Sequence, residues 1–315
     1  MASGKIGLAL GGGAARGWAH IGVIAALRDA GIVPDIIAGP SIGAVVGVCH
    51  AAGQLDALSE FAHELTRRKV FGYLDFNLTG SGLITGQRLC AKLETHLGET
   101  LIEDLPHKFT AVATEIGSGH EVWLSRGKIV DAMRASYALP GIFRPVRING
   151  RWLFDGALVN PIPVSVCRAL GARTVIAVNL NADLFGRGTV VPDLEAHGDA
   201  PVVAEAEPVP SAGRSVQKLL QRQFFGRSDG APGISTVMVD AFNIVQDRIA
   251  RSRLAGDPPD LLISPKLRGI GLFDFHRAEE MIQRGRQAVE RELGEIKREV
   301  DRPHVNGARA EAPLQ

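Results

Sequence analysis

The sequence predicts an α/β protein with a mostly parallel sheet, and three observations predict it. Apolar strand-like runs end in glycine turns that lead straight into helical periodicity, twice within the first 52 residues. Further short β-type runs alternate with helical stretches toward the end of the chain. The composition, 45% hydrophobic and 22% charged over 315 residues, is that of a globular chain with a substantial core.

Residues 5–10 form the first strand, closed by Gly11-Gly12-Gly13, after which Trp18, Ile21, Ile24 and Leu27 recur at helical spacing. Residues 35–38 form the second, closed by Gly39-Pro40-Ser41, with a small-residue helix over 42–52. The uncharged stretch 36–55 is long enough to mimic a membrane span, but Pro40 and four glycines divide it into a buried strand and a buried helix. Helical stretches follow at 55–68 and 86–97, then strands at 109–114 and 121–124 around a Gly117-Ser118-Gly119 turn, and a helix over 129–138. Asn149-Gly150 between the runs 146–148 and 152–154 marks a type I′ hairpin whose exit is Asp155. A helix over 163–170 and an apolar strand over 174–178 complete this part.

After Asn179 the composition changes. Residues 183–210 are rich in Asp, Glu, Pro, Ala and Gly and carry too little apolar surface to offset ordering entropy, which predicts a loop or disordered insertion. Residues 214–227 are basic, with Leu219, Leu220, Phe224 and Phe225, and read either as a helix packed on its own domain or as a cationic segment facing a membrane. A helix over 237–254, a strand over 261–264 and a long amphipathic helix over 274–300 follow.

The formal charge of +1 gives no reason to expect a nucleic-acid partner. Cys49, Cys90 and Cys167 lack metal or redox spacing and are expected to be reduced and buried. Residues 1–7 show no signal-type pattern, which points to a cytoplasmic protein.

Three segments carry chemistry. Gly39-Pro40-Ser41-Ile42-Gly43 fits G-x-S-x-G at a strand-to-helix turn, the context of a nucleophile elbow. Gly11-Gly12-Gly13-Ala14-Ala15-Arg16-Gly17 leaves bare backbone amides free to form a nest for an anion, either a nucleotide phosphate or an oxyanion. The nucleotide reading needs glycine where Arg16 stands and an acid at the end of the second strand, where Gly39-Pro40-Ser41 is found instead. Parallel pairing of the first two strands brings this loop and Ser41 to one sheet edge. Asp155-Gly156-Ala157 fixes a carboxylate at a strand end, where partial desolvation raises its basicity; in isolation the same residues form an ordinary turn. Of the nine histidines only His276 suits the chain order of a Ser-acid-His triad.

These blocks, with Ala135-Ser136-Tyr137-Ala138-Leu139-Pro140, occur in the order of the patatin-like phospholipase family, which the sequence resembles, in particular its compact bacterial RssA-type members. The likeness runs from about residue 5 to 179 and more loosely through Gln246-Asp247-Arg248 and Asp257-Pro258-Pro259-Asp260. It implies a three-layer α/β/α hydrolase fold with residues 1–180 as catalytic core, 181–235 as a flexible insertion plus basic segment, 236–301 completing the same domain and 302–315 as a tail. It also implies a Ser-Asp dyad hydrolase with Ser41 as nucleophile, Asp155 as base and the amides of Gly11, Gly12 and Gly13 as oxyanion hole, supported by Arg16, Gly39, Gly43 and Gly156. Arg16 would orient the loop, meet an anionic head group or bind a structural carboxylate. No metal or cofactor is implied. The partner would be a lipid or acyl-ester substrate, with peripheral contact at the inner face of the membrane. Pro40 departs from the residues usual before the serine. A Ser-His acyltransferase and a regulatory protein that keeps the fold remain as alternatives.

Overall fold

The computed structural model describes residues 4–73, 82–84, 97–184 and 234–302. The expected strand-helix repeat is there: β1 (Ile6–Leu10), α1 (Trp18–Asp29), β2 (Ile36–Pro40) and α2 (Ile42–Ala51). β1 and β2 pair in parallel. Every residue of both is buried, as in strands covered on two faces. The stretch 36–55 is thus a core strand and a core helix, and no helix among the described residues is long and apolar enough to cross a membrane.

The helix expected at 55–68 is two helices, α3 (Leu55–His63) and α4 (Arg67–Tyr73). Thr66 starts the second one, its hydroxyl accepting the Lys69 N–H at 3.2 Å, a capping signal that the apolar periodicity hides. Next come β3 (Gly82–Ile84), β4 (Lys108–Glu115), β5 (Glu121–Leu124), α5 (Ile129–Ser136), β6 (Gly141–Phe143), β7 (Val146–Ile148) and β8 (Arg151–Asp155). Asn149 and Gly150 have φ of 48° and 80°, the left-handed pair that a type I′ turn requires. The chain continues through α6 (Val164–Ala169), β9 (Thr174–Val178), α7 (Ile234–Gly256), β10 (Leu261–Ile263) and α8 (Ala278–Val300). Most of the helix expected at 86–97, nearly all of the acidic insertion, the basic segment 214–227 and the tail after 302 lie outside the described residues, as does Cys90. Cys49 and Cys167 are free and buried, and burial pushes both thiols up to about 12.

The main sheet has the order β10-β9-β1-β2-β4-β8-β7, with β5 also on β4. β10 through β4 run parallel. β8 joins β4, and β7 joins β8, antiparallel. Alternate residues divide the core into two layers. Leu8, Leu10, Ile37 and Ile176 face α1, α2 and α8, whereas Ala9, Ala38, Val175 and Ala177 face α6 and α7. The result is the expected three-layer α/β/α arrangement.

α1 and α8 pack at backbone distance through two glycines. A Cβ on Gly22 would stand 1.8 Å from the Ile282 carbonyl oxygen, and one on Gly285 would stand 2.0 Å from that of Ala19. Neither obstacle is a side chain that could turn away, so Gly22→Ala should force the helices apart and cost about 3 kcal/mol in denaturant unfolding. Gly294, on the exposed part of α8, would meet nothing. Gly294→Ala should therefore stabilise the protein by about 0.5–1 kcal/mol, through helix propensity alone.

Candidate active site

Sheet register brings the two key positions level. Pro40, at the end of β2, pairs with Val112 on β4. The next residue of β4, Ala113, pairs with Asp155 at the end of β8. Ser41 and Asp155 thus leave the sheet from the strands either side of β4, roughly 10 Å apart in backbone. Both side chains line one cleft, and the Ser41 hydroxyl pulls the Asp155 carboxyl down against the effect of burial.

Ser41 has φ 54° and ψ −129°, a conformation sparsely populated for a residue with a side chain. Several contacts impose it. The Ser41 N–H donates to the Ser136 carbonyl at 3.1 Å and to Ser136 Oγ at 3.0 Å. Ser136 Oγ in turn donates to the Val112 carbonyl at 2.6 Å. The sharp reversal also needs the two glycines of the pentapeptide, because a Cβ on Gly39 would stand 2.5 Å from the Gly43 carbonyl carbon and one on Gly43 would stand 2.4 Å from the Leu10 oxygen. Ser41 caps α2, whose first-turn amides carry positive potential.

Asp155 is 1% exposed. Its N–H donates to Ala138 O, its carbonyl accepts from Thr114 Oγ1 at 2.9 Å, and its Oδ1 accepts the Ala157 N–H at 2.8 Å. Burial pushes the carboxyl up to about 7, against the downward pull of the Ala157 N–H and the Ser41 hydroxyl. Gly156 permits this placement, since a Cβ there would lie 2.1 Å from the Val112 oxygen.

The glycine loop corrects part of the expectation. The Gly11 N–H donates to Val178 O at 3.1 Å and the Gly12 N–H to Pro161 O at 3.0 Å, so these two amides hold the loop to the sheet edge and are not presented to a ligand. The amides of Gly13 and Ala14 have no carbonyl partner among the described residues, and both residues line the same cleft as Ser41. Ile42, the first residue of α2, lines it too and lacks an intrahelical acceptor for its N–H. Arg16 is 4% exposed and faces inward, with Nη1 donating to Asn181 Oδ1 at 2.6 Å and Nε to Ile270 O at 3.2 Å. That arrangement fits the loop-orienting role; burial lowers its pKa to about 10.

Sequence reasoning missed two supporting residues. Ser136 clamps the elbow, and its only signal was membership of the block 135–140. His20, fully buried, bonds through Nε2 to Gly11 O at 2.8 Å, and burial lowers its pKa to about 4, so it stands as a neutral prop of the loop. His276 is not brought to the site: its Nε2 accepts from Arg67 Nε at 3.1 Å, and it is absent from the cleft wall.

The cleft has a volume of about 150 Å³ and is walled mainly by apolar side chains, among them Val45, Leu58, Leu65, Leu139, Ile142 and Phe242. Ser41 and Asp155 line it too. Such a wall suits a hydrocarbon chain. Among the described residues no group of three or more His, Cys, Asp or Glu is placed to hold a metal ion.

Residues 8–168 match the family model of the patatin-like phospholipases. An uncharacterized NTE family protein of Mycobacterium tuberculosis is 35% identical over 321 residues, which cover 90% of this chain and 89% of that one. A lysophospholipase of Aspergillus fumigatus is 32% identical over 192 residues, 56% of this chain and 12% of its own. The crystal structure of VipD from Legionella pneumophila aligns with 92% of this chain and 67% of its own at 12% identity and a TM-score of 0.42. These matches carry the family and not the RssA-type branch.

Proposed function

The chain belongs to the patatin-like phospholipase family, and from that premise we propose that it is a lipid hydrolase that cleaves carboxylic esters through a Ser41-Asp155 dyad and an acyl-enzyme. The observation that supports this most is the placement, in one cleft, of a strained, helix-capping serine and a buried carboxylate whose basicity is raised to about 7.

The chemistry follows from the geometry. Asp155 takes the Ser41 proton as Oγ bonds to the ester carbonyl carbon, and the resulting oxyanion is met by the free amides of Gly13, Ala14 and Ile42. Collapse breaks the ester C–O bond, and the proton on Asp155 passes to the leaving alkoxide. A water then attacks the acyl-enzyme and returns its proton through Asp155, which releases the acid and restores Ser41. The apolar cleft takes the acyl chain. The lysophospholipase relative favours phospholipid or lysophospholipid esters as substrates. Contact with the inner face of a membrane, through the segment 214–227, is part of the same proposal.

The test is hydrolysis of a panel of acyl esters by wild type and His276→Ala. Because His276 is tied to Arg67 and not to Ser41, the variant should keep kcat/KM within about twofold of wild type. A loss of two orders of magnitude or more would restore a conventional triad. The Ser-His acyltransferase alternative would show the same dependence on histidine.

A further inference from the structure

Gln246 is a polar group of the cleft that the proposed mechanism does not use. It stands on α7, which packs across the turn Gly156–Leu158 that follows Asp155, and it is 2% exposed. Its Nε2 and the Cβ of Ser41 each lie 3.8 Å from the point where a Cβ on Gly12 would stand. The carboxamide makes no hydrogen bond with other side chains or carbonyls among the described residues, although it lines the cleft. One turn earlier on α7, Asn243 is 3% exposed and its Oδ1 is buried without a partner among the described residues.

A hydrocarbon chain has no use for a carboxamide, and an unpaired amide in such a place is unfavourable unless a ligand satisfies it. Position narrows the ligand. The carbonyl oxygen of an ester belongs beside the amides of Gly13, Ala14 and Ile42, while the leaving oxygen must face Asp155 to be protonated. Gln246 stands on the helix that packs across the turn following Asp155, with its Nε2 near Gly12, which in turn approaches Ala157. A carboxamide is neutral and both donates and accepts, which matches a hydroxyl. A phosphate or an ammonium group would call for a charged partner.

We propose, on the premise of the Ser41-Asp155 reading, that Gln246 is a specificity-determining residue that hydrogen-bonds a hydroxyl on the alcohol half of the ester. The cleft thereby selects monoacyl esters of a polyol over esters of the same acyl chain whose alcohol has no second hydroxyl.

The experiment compares kcat/KM of the full chain on a 1-monoacylglycerol and on the propyl ester of the same fatty acid, for wild type, Gln246→Leu and Gln246→Met. Wild type should favour the glycerol ester by about tenfold or more, and both variants should bring the ratio close to one. Met, matched in length and flexibility, keeps the comparison valid if Leu disturbs packing. A wild type that cleaves both esters equally, or variants that keep the wild-type ratio, would overturn the inference alone. A folded wild type that cleaves neither ester, and whose Ser41 reacts with no acylating probe, would overturn the hydrolase reading and the inference with it.

Discussion

Asp155→Asn should abolish most hydrolysis and at the same time raise the stability of the fold. In the proposed mechanism the carboxylate accepts the Ser41 proton, and loss of a positioned general base costs on the order of 10²–10⁴ in kcat. Stability moves the other way. The folded state keeps a proton on Asp155 up to pH about 7, whereas an unfolded aspartate releases it near 4. Folding is therefore linked to proton uptake between those values, and wild-type stability falls as pH rises through that window. Above pH 7 the variant should be more stable by roughly 2–4 kcal/mol, and the difference should shrink toward zero as pH falls below about 4. The asparagine oxygen can still accept the Ala157 N–H, so the turn should persist. Thermal unfolding at pH 4 and pH 8, together with an activity profile whose acid limb falls near pH 7 in wild type, measures both effects. A variant that is inactive and also destabilised at pH 8 would show that Asp155 holds the fold together rather than serving as a buried base.

The second large effect belongs to Ser41. Ser41→Ala should lower turnover on the order of 10⁵-fold with stability within about 0.5 kcal/mol of wild type, because it removes the proposed nucleophile and keeps the strained backbone. Ser41→Gly should be equally inactive yet more stable by about 1 kcal/mol, since glycine relaxes at φ 54° and ψ −129°. The three proteins together separate chemistry from strain. A serine kept at such a conformation only for packing would leave hydrolysis intact in Ser41→Ala.

Much of this arrangement was legible in the sequence because the close approaches require glycine at fixed spacing. Gly39 and Gly43 mark the elbow, and Asn149-Gly150 marks the hairpin that delivers Asp155 to the sheet edge. The parallel core followed from glycine turns that open helices. The oxyanion assignment was only partly legible for a physical reason: three bare amides in a row reveal a nest, but which of them remain free depends on Val178 and Pro161, acceptors far along the chain. The same holds for Ser136, whose clamp on the elbow spans 95 residues. Gln246 carried only the weak signal of the block Gln246-Asp247-Arg248, because a glutamine in a helix gains its meaning only when that helix crosses Gly12. Thr66 was misread for the opposite reason, since apolar periodicity runs through 55–68 while one hydroxyl starts a new helix.

The most direct measurement is intact-mass and peptide mapping after reaction with a fluorophosphonate, whose phosphorus accepts the serine oxygen as fluoride departs. One adduct should form on Ser41, with a rate that rises with pH through about 7 and collapses in Asp155→Asn. A folded protein that hydrolyses esters while Ser41 stays unmodified, or that labels at the same rate without the Asp155 carboxylate, would contradict the dyad.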